Sequence, residues 1–214
     1  RDGAPRRSWS EALGVYGQRP VLSMLFLGFS AGLPFYLVFQ TLSAWLRQDG
    51  IERATIGMLA WVGLVYSIKF LWSPIVDRLR LPLLHRLLGR RRSWMLVAQA
   101  GIGIGLLNLA GSDPQSGVMQ IAFGALFLAF CSATQDISID AWRIESATVD
   151  MQGAMAAAYQ LGYRAALITG GAGALGIAQG YGWATSYTVM ALLAGVGIVT
   201  TLLVREPQVT ASRA

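Results

Sequence analysis

The sequence predicts an all-α membrane protein: six transmembrane helices arranged as two inverted three-helix repeats. Three observations carry that prediction. Hydrophobic residues make up 54% of the chain and charged residues only 13%, where a soluble domain carries about 25% charged residues. Six apolar runs are long enough to cross a bilayer, which takes about 20 helical residues. The basic residues collect in alternate gaps between those runs, the pattern of a topology signal rather than of a nucleic-acid face.

The expected spans are 21–46, 54–76, 93–111, 117–142, 153–178 and 183–204. The tail before the first, 1–19, holds Arg1, Arg6, Arg7 and Arg19 and no apolar core ahead of Val21, so no secretory signal is expected within it. Gly32-Leu-Pro34 should break the first span or simply kink it, because proline removes an N–H and frees a carbonyl. Tyr36 and Gln40 follow at i and i+4 and would present hydrogen-bonding groups to one cavity. The second span carries Lys69. In the third, Gly101-Ile-Gly-Ile-Gly105 has part of a dinucleotide fingerprint, but inside an apolar run it reads as packing.

The fourth span is almost wholly apolar from Val118 to Ala129 and then turns polar. Asp136, Asp140 and Arg143 stand at i, i+4 and i+7, one stripe of a helix, with Ser132 above them. The fifth span carries Arg164 and the small residues Gly162, Ala166, Gly170, Gly171, Gly173 and Gly176, which suit close helix packing. Polar or Gly/Pro stretches divide the runs at Gln48-Asp-Gly50, Gly111-Ser-Asp-Pro114 and Gln179-Gly-Tyr-Gly182. The expected organisation is a cytoplasmic tail over 1–19, a transmembrane bundle over 20–205, and a cytoplasmic tail or the start of a central linker over 206–214.

Orientation follows from the basic residues. Thirteen of the 17 Lys and Arg fall on the side of both termini, only Arg47 and Arg53 on the other, and Lys69 and Arg164 inside spans. That bias predicts both termini in the cytoplasm. Phe26-Leu-Gly-Phe-Ser-Ala31 is echoed by Phe127-Leu-Ala-Phe-Cys-Ser-Ala133, and Tyr66 then Lys69 by Tyr163 then Arg164. Three spans per repeat is an odd number, so such repeats must be inverted. Trp45, Trp61, Trp72, Trp94, Trp142 and Trp183 fall mostly near span ends, as in aromatic belts.

Ionisable residues inside a span are costly and mark a water-filled path, a partner charge or a substrate. Lys69 and Arg164 would bind an anionic substrate or pair with Asp136. Asp136 would serve as a proton carrier or as a fixed counter-ion. Asp140 and Arg143 lie nearer the interface, where a gate or an end-of-helix ion pair explains them. An enzyme is not expected: the lone His85 sits in a basic loop, no H-E-x-x-H motif occurs, and a single Cys131 leaves neither a disulfide nor a metal cluster. No cofactor is called for.

Trp72-Ser-Pro-Ile-Val-Asp77-Arg78 followed by Gly89-Arg-Arg-Arg92 resembles the loop between the second and third helices of the major facilitator superfamily, lengthened here by Leu81-Pro-Leu-Leu-His85. More narrowly, Gly28-Phe-Ser-Ala-Gly-Leu-Pro34, Lys69-Phe-Leu-Trp-Ser-Pro74, Phe130-Cys-Ser-Ala-Thr-Gln135-Asp136, Asp140-Ala-Trp142 and Leu161-Gly-Tyr-Arg164 are similar to the AmpG-type muropeptide permeases. The resemblance covers residues 19–207. It implies half of a major facilitator fold and a cytoplasmic latch at Asp77, Arg78 and Arg90, with Asp140 and Arg143 beside it. It implies an inner-membrane permease that imports an anionic glycopeptide with protons, its site drawn from Tyr36, Gln40, Lys69, Gln135, Asp136 and Arg164. A C-terminal six-helix half outside this chain would complete it. Two alternatives stay open: a non-transporting six-span scaffold or sensor, and a related permease for another anionic cargo such as acetyl-CoA.

Overall fold

The computed structural model describes residues 14–207, and every regular element among them is helical. Most of the expected N-terminal tail, with Arg1, Arg6 and Arg7, lies outside the described residues, as does Arg213. Helix α1 is Arg19–Gln48. Helix α2 occupies 53–78 in pieces: Arg53–Leu59, Gly63–Ile68 and Ser73–Arg78, joined by 3-10 turns at Ala60–Val62 and Lys69–Leu71. A short α3, Leu84–Leu88, lies in the lengthened loop. Then come α4, Arg90–Ala110, and α5, Pro114–Ser146, which kinks at Gly117, passes the expected end of its span and carries the acidic stripe in the helix after the kink. Helix α6 covers 149–181 and α7 is Trp183–Leu203. Four stretches are long and apolar enough to cross a membrane: Arg19–Gln48, Arg90–Ala110, Gly117–Ser146 and Trp183–Leu203.

Pro34 does not break α1. The helix runs through it to Tyr36 and widens into a π-turn at Leu37–Thr41 before resuming at Leu42. A π-turn closes i→i+5 bonds and holds an extra residue, so the irregularity is absorbed without opening the backbone. Helix α6 has the same device at Thr169–Gly173. The two widened turns face each other: Thr41 Oγ1 donates to the Gly170 carbonyl at 2.5 Å.

Helix α1 is the hub. It packs along α6 over most of its length and also touches α5 and α7; α4 packs between α5 and α7; α2 leans mainly on α5. Small residues explain the closeness of α1 to α6. A Cβ on Gly162 would overlap the Leu25 carbonyl, and one on Gly28 would overlap the Tyr159 carbonyl. The expected small-residue stripe therefore divides. Gly162, Ala166, Gly170 and Gly171 are buried against α1, while Gly176 has open space around it. Several buried polar groups inside the bundle pair across helices, where an apolar surround offers no water. Thr201 Oγ1 donates to Gln99 Oε1 at 2.9 Å, and Tyr187 Oη donates to the Leu37 carbonyl at 3.2 Å. At the end remote from Arg19, Trp45 and Trp183 stack at 5.8 Å, with their indole N–H groups on Asp49 and Gln48.

Replacing Gly162 by Ala forces α1 and α6 apart and costs about 1–3 kcal/mol, the usual range for overpacking. Gly176→Ala meets nothing and gains helix propensity, so its stability is unchanged or slightly raised. Thermal unfolding in detergent separates the two; equal midpoints would remove the close crossing as the cause.

Candidate functional site

The acidic stripe of α5 meets α2 at one point. Lys69 Nζ lies 3.7 Å from Asp136 Oδ2, with the lysine side chain 34% exposed and the aspartate 19%. Local backbone sets this up. The helix of α2 ends at Ile68 and Lys69 opens a 3-10 turn, so the lysine leaves the regular helical path beside α5. Three residues earlier Tyr66 lies beside Ser132 and Asp136. Phe35 and Phe39 of α1 cover its ring at centroid distances of 5.3 and 5.8 Å. Tyr159 and Tyr163 of α6 stand within electrostatic reach of Asp136.

The hydrogen bonding around this pair is incomplete. Gln135 accepts from Ser30 Oγ at 2.9 Å through Oε1, which leaves its amide nitrogen. Gln135 Nε2 and Asp136 Oδ1 are buried with no hydrogen-bond partner among the described residues, and Tyr66 Oη and Ser132 Oγ, also buried, lie beside each other without a well-formed bond. A buried polar group left unpaired costs about 1–3 kcal/mol. These atoms beside one ion pair make a cluster of donors (ammonium, phenol, hydroxyl, amide) around one free carboxylate oxygen. That inventory suits a ligand rich in carboxylate, carbonyl and hydroxyl oxygens.

Arg164, Tyr36 and Gln40, also expected at this site, make no ion pair or hydrogen bond with Lys69 or Asp136 among the described residues. Arg164 is exposed on α6 and makes no ion pair among the described residues; the cation on Asp136 is Lys69. The Tyr36 ring packs against Gly171 of the α6 π-turn, and Gln40 is exposed. Tyr66 appeared in the sequence only as a repeat marker; its signal was its spacing of three from Lys69, which puts both on one side of α2. Asp140 and Arg143 pair with each other at 3.6 Å, one turn beyond Asp136.

At the end bearing Arg19 lies a second charged centre, and its hub is Arg91. Its side chain is 7% exposed. One guanidinium nitrogen meets Asp77 Oδ1 at 2.6 Å and another meets Glu145 Oε1 at 2.5 Å. Arg90, expected as the latch, is a secondary partner of Glu145 at 3.4 Å, and Arg78 is exposed. Gly89 selects Arg91. At φ +87 it takes a path open to glycine, and a Cβ there would collide with Glu206. The Glu206 carboxylate instead accepts the backbone N–H of Arg91 at 2.8 Å and of Arg92 at 3.1 Å, capping the positive end of α4. Arg92 returns the bond: its guanidinium donates to the last carbonyls of α7, Thr201 at 2.9 Å and Leu202 at 2.8 Å.

Comparison with known proteins gives this geometry a setting. The Major Facilitator Superfamily model matches residues 24–214. An anhydromuropeptide permease of Escherichia coli is 38% identical over 199 residues, 92% of this chain and 40% of that one. A candidate transporter of Rickettsia felis, AmpG 4, is 31% identical over 196 residues, 91% of this chain and 47% of that one. An uncharacterized protein of Haemophilus influenzae is 37% identical over 193 residues, 89% of this chain and 44% of that one. The chain thus spans less than half the length of these relatives.

Arg91→Gln removes two charge-assisted contacts and is expected to cost about 1.5–3 kcal/mol, less than the loss of a fully buried pair because Asp77 is 46% exposed and Glu145 keeps Arg90. Arg78→Gln, at an exposed position without a partner, should stay within about 0.5 kcal/mol. Equal unfolding midpoints for the two variants would deny Arg91 its place as the hub.

Proposed function

Because the chain belongs to the Major Facilitator Superfamily, we propose that it forms the N-terminal six-helix half of a secondary transporter. Its cargo is an anhydromuropeptide, imported with protons across the bacterial inner membrane for peptidoglycan recycling. The observation that carries this proposal is the Lys69–Asp136 pair, with the buried Gln135 Nε2 and Asp136 Oδ1 unpaired among the described residues and the Tyr66 and Ser132 hydroxyls beside it. The permease of Escherichia coli supports the cargo, and so does the chemistry: muropeptides bring sugar hydroxyls, amides and carboxylates to a donor-rich cluster.

Coupling follows from competition for one cation. While Asp136 is ionised it holds Lys69. A proton on Asp136 removes that attraction, and the ammonium turns to a cargo carboxylate. Proton and anion then favour each other's binding, the reciprocal linkage that cotransport needs. Gln135, Tyr66 and Ser132 donate to cargo oxygens. Arg164, on the uncovered side of α6, reaches the cargo from a face that a second set of helices would close, as would the exposed Trp61, Leu64 and Leu71 of α2.

The contacts between helices support the inverted-repeat arrangement. If α1, α2 and α4 correspond to α5, α6 and α7, then the α1–α6 contact has its counterpart in α2–α5, and α1–α7 in α4–α5. Each pair is the image of the other under a two-fold exchange of repeats. The positive-inside bias puts both termini, and with them the Arg91 centre, in the cytoplasm. There Asp77, Arg90 and Arg91 act as the latch, with Asp140 and Arg143 at the inner rim.

In the full-length transporter, Asp136→Asn should stop gradient-driven uptake of labelled muropeptide while substrate exchange continues. Loss of both would make Asp136 a fixed counter-ion. Lys69→Gln and Arg164→Gln should each lower uptake about 30-fold or more at normal membrane levels, as expected for a lost partner of a desolvated charge. Full uptake by Arg164→Gln would remove that residue from the site. Competition among muropeptides, acetyl-CoA and simple sugars tests the cargo directly.

A further inference from the structure

A cleft of about 870 Å³ opens where α1 begins and α5 and α7 finish. One face of α1 lines it, with Arg19, Leu22, Ser23 and Phe26 at i, i+3, i+4 and i+7. Across from them stand Thr200 and Leu203 near the end of α7, with Arg205 just after it, and Trp142 and Ser146 of α5. The Trp142 indole N–H donates to the Arg205 carbonyl at 3.0 Å, which fixes the backbone that carries this arginine.

The charges around the cleft are not balanced in availability. Glu145 and Glu206 border it, but Glu145 is held by Arg90 and Arg91, and Glu206 by the first turn of α4. Arg19 and Arg205 are exposed and make no ion pair among the described residues. Glu206 keeps its charge in that cap, so the rim sets two unpaired cations against one carboxylate and its balance is positive. Beside it Ser146 Oγ is buried without a hydrogen-bond partner. The remaining wall is apolar and open, with Leu22 44%, Phe26 48% and Leu203 79% exposed.

We propose that this cleft binds an anionic phospholipid, with the phosphate between Arg19 and Arg205 and the acyl chains along Leu22, Phe26 and Leu203. The volume falls within the usual range of ligand pockets, about 300–1,000 Å³. A basic pocket between helices at the cytoplasmic surface of a membrane suits an anionic headgroup. A soluble phosphate would use the two cations and leave the apolar wall unmet. A zwitterionic lipid would bring its own ammonium against the two guanidinium groups. The site rests on membrane insertion and the geometry of one cleft, and is independent of the cargo carried at Lys69 and Asp136.

Native mass spectrometry of the intact protein, released from detergent with phosphatidylglycerol or phosphatidylethanolamine, tests this. Retention of phosphatidylglycerol over phosphatidylethanolamine is expected. Each arginine contributes about fivefold, so Arg19→Gln with Arg205→Gln should weaken retention about 30-fold. Lysine at both positions keeps the charge and should bind within about threefold of the parent, which separates loss of charge from loss of fold. Arg47→Gln with Arg53→Gln, at the opposite end, should change nothing. Undiminished retention by the double glutamine variant overturns the proposal, as does equal retention of the two lipids. Displacement by glycerol phosphate at equal concentration would make this a soluble-anion site, and binding that appears only after deletion of residues 1–13 would assign the cleft to the chain's own tail; either result also overturns it.

Discussion

A guanidinium cannot be buried alone, and the burial of Arg91 organises one end of this molecule. Desolvating it is tolerable only because two carboxylates arrive from different helices, Asp77 from α2 and Glu145 from α5. Helices α2 and α5 run in the same direction toward that end. Asp77 lies eight residues beyond Lys69, and Glu145 nine beyond Asp136. The same two helices are thus joined at two rungs about 12–14 Å apart along their axes. One rung is the direct Lys69–Asp136 pair; the other runs through Arg91. Apolar packing does less for α2 than for its neighbours, since Trp61, Leu64, Phe70 and Leu71 are all open. Charge pairing sets its register against α5.

The rest of the bundle is held differently. Helices α1 and α6 meet through glycine, with backbone against backbone, and carry matched π-turns joined by Thr41. Such a crossing has little room to give. The candidate site lies between the two regimes: α1 and α6 supply its aromatic cover through Phe35, Phe39, Tyr159 and Tyr163, while α2 supplies Lys69 from a 3-10 turn. A direct ion pair is thereby set against a closely packed wall.

Much of this was legible in the chain. Composition and run length identify the helical class, and four of the runs appear as long apolar helices. Lys69, Asp136 and Gln135 stand out as polar residues where none is expected. Less legible was which cation meets Asp136, because Lys69 and Arg164 are equivalent in a linear reading and only the packing of α2 on α5 separates them. The Arg91 centre was hidden for two reasons. Gly89-Arg-Arg-Arg92 offers three identical guanidinium groups, and the left-handed turn at Gly89 decides which one enters. Glu145, nine residues past Asp136, lies on the opposite side of α5, so a stripe drawn through Asp136, Asp140 and Arg143 passes it by. Glu206 gives no local sign at all, since its partners are backbone groups far away in sequence.

That last distance bears on how the molecule is made. The carboxylate that caps α4 lies 115 residues after the Arg91 amide it accepts. At translation rates of about 5–20 residues per second, the first turn of α4 waits about 6–23 s for its cap. Over that interval α5, α6 and α7 are all produced, and Arg92 has no carbonyls of α7 to hold. The start of α4 and the end of α7 can close on each other only once α7 is in place. The fold at this end is therefore completed by the residues that follow α7, and the hub at Arg91 is sealed from behind after α2, α4 and α5 have emerged.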